Sequence, residues 1–143
     1  RSLATSGFRY IILLGDHSTN QKVLEELAVQ LNAELKSQNV QVFFSGDGYA
    51  KSGAEIEAYA KTLGLNATGH GGLGDTAELW AAAPDAVRIG KFAPGDLTGT
   101  GSLDENGVAG DPRMASPELG QKFAAIRVGN AVAQIRSLLG DVR

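Results

Sequence analysis

His17 and His70 are the only two histidines in the chain, and each sits in a polar, glycine-containing stretch directly after an apolar run. The two stretches read Gly15-Asp16-His17-Ser18-Thr19-Asn20 and Gly69-His70-Gly71-Gly72. Imidazole is the side chain that both ligates divalent metals through a neutral nitrogen and moves protons near neutral pH, so these two residues are the first candidates for chemistry. Asp16 adjoins His17, and Asp75 follows five residues after His70, which adds carboxylate oxygens suited to a hard or borderline cation. Glu78 is a weaker carboxylate candidate. Plainer uses compete with each of these: a loop histidine is more often a turn or surface residue, Asp75 stands where a helix cap would stand, and Asp16 can satisfy turn amides. The chain has no cysteine, so a metal would rely on His, Asp, Glu or water, a set suited to zinc or manganese.

Other chemistries find less support. Ser18 and Ser45 lack the G-x-S-x-G elbow of a hydrolase nucleophile. The GHGG stretch suggests phosphate cradling, but neither G-x-G-x-x-G nor G-x-x-x-x-G-K-[ST] follows a strand pattern, so nucleotide binding is a poor reading. Trp80, the five phenylalanines and the tyrosines read as core or interface residues.

The elements that must position the histidines follow from hydrophobic period. Phe8 to Leu14 (FRYIILL) is a nearly continuous apolar run ending at Gly15, which predicts a strand buried on both faces. From Thr19 the period changes, and Val23, Leu24, Leu27, Leu31 and Leu35 recur at helical spacing over about five turns. Val40 to Phe44 predicts a second strand, parallel to the first through a right-handed crossover. Gly53 to Leu63 predicts a helix with Ile56, Tyr59, Ala60 and Leu63 inward, and Leu65 to Thr68 a short third strand before the GHGG stretch. Asp75 and Thr76 precede a helix over Ala77 to Ala83 that Pro84 ends. The segment from Gly90 to Pro112 holds six glycines and two prolines and reads as a long irregular loop, the class of segment that often shapes a substrate pocket. Ser116 caps a last helix with Pro117 at its first position, running to about Leu139. Alternation of this kind predicts one α/β domain, a three-layer α/β/α arrangement with a mainly parallel sheet. In such sheets ligands bind beyond the carboxyl ends of the strands, where both histidines are expected.

Composition bounds the partners. A chain of 143 residues, 43% hydrophobic, fits a single domain with a core. A net charge of −3 with scattered Lys and Arg leaves no basic footprint for nucleic acid. No apolar run reaches the roughly 18 residues of a membrane span, and no signal peptide is visible, so a soluble protein of the cytoplasm or periplasm is expected. The first residue is Arg1 rather than Met, which suggests a portion of a longer product.

At this point the motifs resemble the creatininase family. GDHSTNQ is similar to that family's N-G-H-G-G-N motif, GHGGLGDTAEL to its H-A-G-x-x-[ED]-T-S-x-L motif, and GVAGDPRMASPELGQK to its C-terminal G-x-x-G-D-P-x-x-A-[ST]-x-E-x-G segment. The three occur in the family's order across nearly the whole chain. The resemblance implies a metal-dependent amidohydrolase acting on a non-peptide or cyclic amide C–N bond of a small molecule. It makes His17 a metal ligand, Asp75 a ligand of a second ion, and His70 the catalytic group beside the scissile amide. Thr19 stands where creatininase itself has a metal-binding glutamate. Family members also carry an earlier Glu-x-His pair and an Asp that complete a dimetal site, and nothing before Ser6 matches that region. The resemblance therefore implies the second half of the family domain, a partner segment on the N-terminal side, and a homo-oligomer. Trp80 and Phe92 are candidate substrate contacts. A noncatalytic binding or oligomer-forming module derived from the family is the alternative, and a flavodoxin-like nucleotide-binding domain rests on fold analogy alone.

Overall fold

The computed structural model describes residues 1–91 and 107–140. These fall into two compact units, one formed by Arg1–Ser52 and the chain from Arg127 onward, the other by Gly53–Ile126.

The first unit begins with a short helix, α1 (Ser2–Thr5), and is built around a strand, helix, strand motif: β1 (Tyr10–Leu13), α2 (Ser18–Leu35) and β2 (Gln41–Phe44). β1 and β2 pair in parallel, with Tyr10 opposite Gln41 and Leu13 opposite Phe44. Ser45 N–H adds one further bond to the Leu13 carbonyl at 2.9 Å. The helical stripe of α2 covers the sheet through Ala28, Leu31 and Leu35, which close a core with Ile11, Val40 and Val42. Between helix and second strand, Asn39 adopts a left-handed conformation that ends a 3-10 turn over Lys36–Gln38. Asn32 then locks α2 onto β2, since its amide accepts from Val42 N–H and donates to the Val42 carbonyl.

Two expectations about strands are corrected here. The apolar run around β1 is not buried on both faces: Ile11 is buried, but Tyr10 is 48% exposed and Leu14 55%. Its apolar residues outnumber those that α2 can cover. Leu65 to Thr68 forms no strand. There Asn66 Oδ1 accepts from both Thr68 N–H and Thr68 Oγ1, a local turn that competes with strand pairing. The parallel sheet has two strands among the described residues.

The second unit takes in most of α3 (Ala50–Thr62), then α4 (Leu73–Ala82) and the start of α5 (Pro117–Gly140). Its core is Ile56, Leu73, Ala77, Ala115 and Phe123, with Tyr59, Trp80 and Ile126 packed around it. Leu63, expected inward, is half exposed. α4 starts at Leu73, four residues earlier than its apolar pattern suggests, because Leu73 rather than Ala77 is the first residue to enter the core. Pro84 begins a short 3-10 turn just past its end, as expected. Pro117 opens α5, and Ser116 Oγ accepts from Leu119 N–H at 3.3 Å. Most of the glycine-rich segment from Gly90 to Pro112, with Phe92, lies outside the described residues.

α5 meets α4 so closely that a Cβ on Gly120 would lie 1.8 Å from the Ala77 carbonyl oxygen. Gly129, on the same helix, has nothing within 4 Å of a Cβ. Gly120→Ala should therefore lower unfolding free energy by about 3 kcal/mol, the cost of overpacking a tight contact. Gly129→Ala should raise it by about 0.5–1 kcal/mol, the helix-interior gain over glycine. Urea titration of both variants, with unchanged denaturant slope, checks the contrast.

Candidate functional site

In the first unit the parallel strands point their carboxyl ends to one edge, and the turns that follow them carry the polar residues. His17 is the N-cap of α2, in extended conformation, with φ −146° and ψ 138°. Its Nδ1 takes the Thr19 N–H at 3.3 Å and lies 2.9 Å from Thr19 Oγ1. Gln21, one turn into α2, donates its amide to the Gly15 carbonyl at 2.9 Å and to the His17 carbonyl at 3.0 Å. The turn is thus tied to the helix it precedes, and the His17 ring is exposed at its surface.

Arg127 connects this turn to the one after β2. Its Nη1 is 3.6 Å from Asp16 Oδ1 and donates to the Gly48 carbonyl at 3.2 Å. Beside it lies a crevice of about 400 Å³ lined by Leu14, Asp16, Ser45, Tyr49, Arg127 and Val128. Asp16 is well exposed, so the pair adds little stability; its effect is to orient a guanidinium at the sheet's carboxyl edge. Ser45, proposed and set aside as a nucleophile, is buried and donates its hydroxyl to Gln134 Oε1 at 2.8 Å.

In the second unit His70 occupies a turn whose glycines are required by backbone packing. Gly69 and Gly71 have φ of +89° and +60°. A Cβ on Gly72 would stand 2.8 Å from the Thr68 carbonyl oxygen, and one on Gly110 would stand 2.7 Å from the Gly72 Cα. The GHGG turn and the Ala109-Gly110-Asp111 stretch therefore meet backbone to backbone, sealed by Ala109 N–H donating to the His70 carbonyl at 2.9 Å. Asp75, third residue of α4, reaches back so that its Oδ2 accepts from Gly71 N–H at 2.9 Å. Thr76 Oγ1 donates to the Gly71 carbonyl at 3.2 Å. On the far side, the Arg113 guanidinium, and then its backbone N–H, hold the Asp111 carboxyl below the usual carboxylate range.

The sequence-predicted residues are thus placed as follows. His70 and Asp75 share one turn of the second unit, both exposed, with Asp75 bonded to the residue after His70. His17 stands in the first unit, past the end of β1. Unlike His17, His70 follows a coil segment rather than a strand. His17 and Asp75 are nitrogen and oxygen donors of the right kind for a divalent ion, yet His17 already caps α2 and Asp75 already holds the Gly71 N–H. Among the described residues no three His, Asp or Glu side chains are grouped to hold a metal. These residues by themselves do not make a metal centre.

Arg127 and Gln21 were not singled out from sequence. Gln21 lies four residues after His17, a spacing that puts a first-turn side chain back over its own N-terminal loop, and that signal was available. Arg127 had no local signal, because its partners are 111 and 79 positions away in the chain.

The structural share of Asp75, its bond to the Gly71 N–H, can be measured by itself. Asp75→Asn keeps an oxygen that can accept from Gly71 N–H and should leave stability within about 0.5 kcal/mol. Asp75→Ala removes the acceptor and should cost about 1 kcal/mol, the usual net worth of one hydrogen bond. Thermal unfolding of the pair would measure both.

Three comparisons bear on identity. The sequence profile of the creatininase family, described as creatinine amidohydrolase, matches residues 1–135. Among solved structures, a W154F mutant creatininase matches with a TM-score of 0.69 and 22% identity, over 95% of this chain and 59% of that one. At that identity the likeness speaks to the fold, which is α/β, and this chain spans 59% of that structure's length. No curated protein matches. With nearly its full length matched and the family's three motifs in order, the chain belongs to the creatininase, or creatinine amidohydrolase, family.

Proposed function

We propose that this chain contributes to a metal-dependent amidohydrolase that hydrolyses a non-peptide or cyclic amide C–N bond in a small molecule. The observation that carries the reading is the His70 turn, where two family motifs, GHGG and GVAGDP, are packed backbone to backbone and hold an exposed imidazole. That rigidity suits a group that must meet a substrate at fixed geometry.

His70 would carry the proton, taking it or giving it at the amide nitrogen as the C–N bond breaks. His17 would be a ligand of one divalent ion and Asp75 a ligand of a second, zinc or manganese, in a complete site of two ions. When bound, such an ion supplies Lewis acidity toward the amide carbonyl and an acidified water. Family members are generally metal-dependent. The described residues do not complete the donor set, so the remaining ligands would come from an N-terminal partner segment or from a second copy in a homo-oligomer. Arg127, bonded to the Gly48 carbonyl and beside Asp16, would present a guanidinium at the strand ends near the His17 turn.

A second reading is favoured by the structural hydrogen bonds that His17 and Asp75 already accept: a noncatalytic module that keeps the family fold for binding or assembly. Metal analysis separates the two. The amidohydrolase reading expects zinc or manganese to bind the chain when an upstream family segment is supplied, with His17→Ala losing the metal. His70→Ala should keep the metal and lose at least about a hundredfold in turnover, the scale of a general acid–base group. Equal metal loss in both variants would overturn the division of roles, and no metal uptake at all would favour the noncatalytic module.

A further inference from the structure

His17 makes two contacts through one atom. Its Nδ1 lies 2.9 Å from Thr19 Oγ1 and 3.3 Å from the Thr19 backbone nitrogen. A backbone N–H can only donate, so while that bond stands Nδ1 is an acceptor and the proton of the neutral ring sits on Nε2. The Thr19 hydroxyl makes no such demand. It donates to a bare Nδ1 or accepts from a protonated one, so the 2.9 Å contact survives either tautomer and the 3.3 Å contact survives only one.

That arrangement and metal ligation by His17 exclude each other. If Nδ1 is the ligand atom, its lone pair is no longer there for the Thr19 N–H. If Nε2 is the ligand atom, its proton must leave, and the neutral ring then carries its proton on Nδ1, where it faces the Thr19 amide donor to donor. In both cases the bond that caps α2 is lost. The two cases differ in what remains. Ligation through Nε2 turns the 2.9 Å contact into Nδ1–H donating to Thr19 Oγ1, the kind of outer hydrogen bond that fixes the tautomer and orientation of a metal-binding imidazole. Ligation through Nδ1 leaves the hydroxyl nothing on that nitrogen to bond.

The surroundings permit the exchange. The turn does not hang on the cap bond alone, because the His17 carbonyl accepts from Asn20 N–H at 3.1 Å and from the Gln21 amide at 3.0 Å, and that amide also holds the Gly15 carbonyl at 2.9 Å. His17 and Thr19 are both exposed, so water can take the released N–H. Imidazole is also outside the set of Asn, Asp, Ser and Thr that leads at a helix N-cap, which leaves a second task to account for it there.

We propose, on the reading of His17 as a metal ligand, that this residue exchanges the cap of α2 for the metal, binding through Nε2, and that Thr19 is the positioning residue that accepts from Nδ1–H in the metal-binding tautomer. The ring neither gains nor loses a proton overall: one leaves Nε2 to water and one arrives on Nδ1 from water. Thr19 then serves His17 with different atoms in the two states, its N–H in the metal-free chain and its hydroxyl oxygen in the metal-bound one.

The test uses the whole nitrogen-15-labelled chain, with an unlabelled upstream family segment supplied, titrated with zinc chloride at fixed pH and followed by NMR. Without zinc, the His17 ring should show a bare Nδ1 and a protonated Nε2. With zinc, Nδ1 should become the protonated nitrogen, and exchange of the Thr19 amide with solvent should quicken several-fold. Thr19→Val keeps the shape and the amide but removes the hydroxyl, and should weaken zinc binding at least about tenfold, the scale of a lost outer hydrogen bond to a ligand. Thr19→Ser should restore most of that affinity. A protonated Nδ1 before zinc, a bare Nδ1 after it, an unchanged Thr19 amide, a Thr19→Val chain that binds zinc as tightly as the parent, or no rescue by serine would each overturn the exchange while leaving His17 a ligand. The ring signals of the parent chain decide the matter even where the valine variant does not fold. Zinc that moves neither ring nitrogen of His17 would overturn the exchange together with the ligand reading.

Discussion

Close backbone approach is the constraint on which the candidate site depends. Gly72 and Gly110 let two distant stretches of chain touch at van der Waals distance, with no room for a methyl group between them. The His70 carbonyl then accepts from Ala109, and the Gly71 N–H is handed to Asp75. In effect the turn has its polar backbone satisfied from two sides, which is why an exposed loop holds a defined shape. The first unit reaches the same end by side chains: Gln21 and Arg127 secure the turns beyond the strands, where glycine-rich contact does the work in the second.

Local pattern made much of the fold legible. The period-3.6 stripe of α2, the short apolar run of β2 and the Ser116-Pro117 start of α5 all lie where the residues imply, because each is decided by its own neighbours. Elsewhere the apolar pattern was overridden, by packing at a distance or by a side chain competing for the backbone. FRYIILL has the composition of a strand covered on both faces, yet coverage depends on what packs there, and Tyr10 and Leu14 remain exposed. Residues 65–68 are apolar enough for a strand, but the Asn66 side chain offers the backbone a cheaper partner than a neighbouring strand. The start of α4 was misplaced for a related reason, since glycines at 72 and 74 look like loop and are in fact contact points.

The candidate site was legible in kind and only partly in geometry. Histidine and aspartate in glycine-rich turns are conspicuous when a chain has two histidines, and the ordered motifs point to a family. The motif glycines fall in two stretches far apart in the sequence. Their principal role is to bring the second and third motifs into contact, a role visible only once both segments are placed together. His17 illustrates the overlap between chemistry and architecture, for its Nδ1 is already occupied as the cap of α2.

The pairing of β1 with β2 also bears on how the chain acquires its structure. Tyr10 and Gln41 are neighbours in space but roughly thirty residues apart in sequence, so their union closes a long loop against entropy. α2 shortens that loop by folding most of it into a rod, and Asn32 fastens the rod to β2. The order of events implied is a helix that forms early, collects the second strand, and only then admits the first. The edge where His17 sits would accordingly be among the last parts of this unit to take shape.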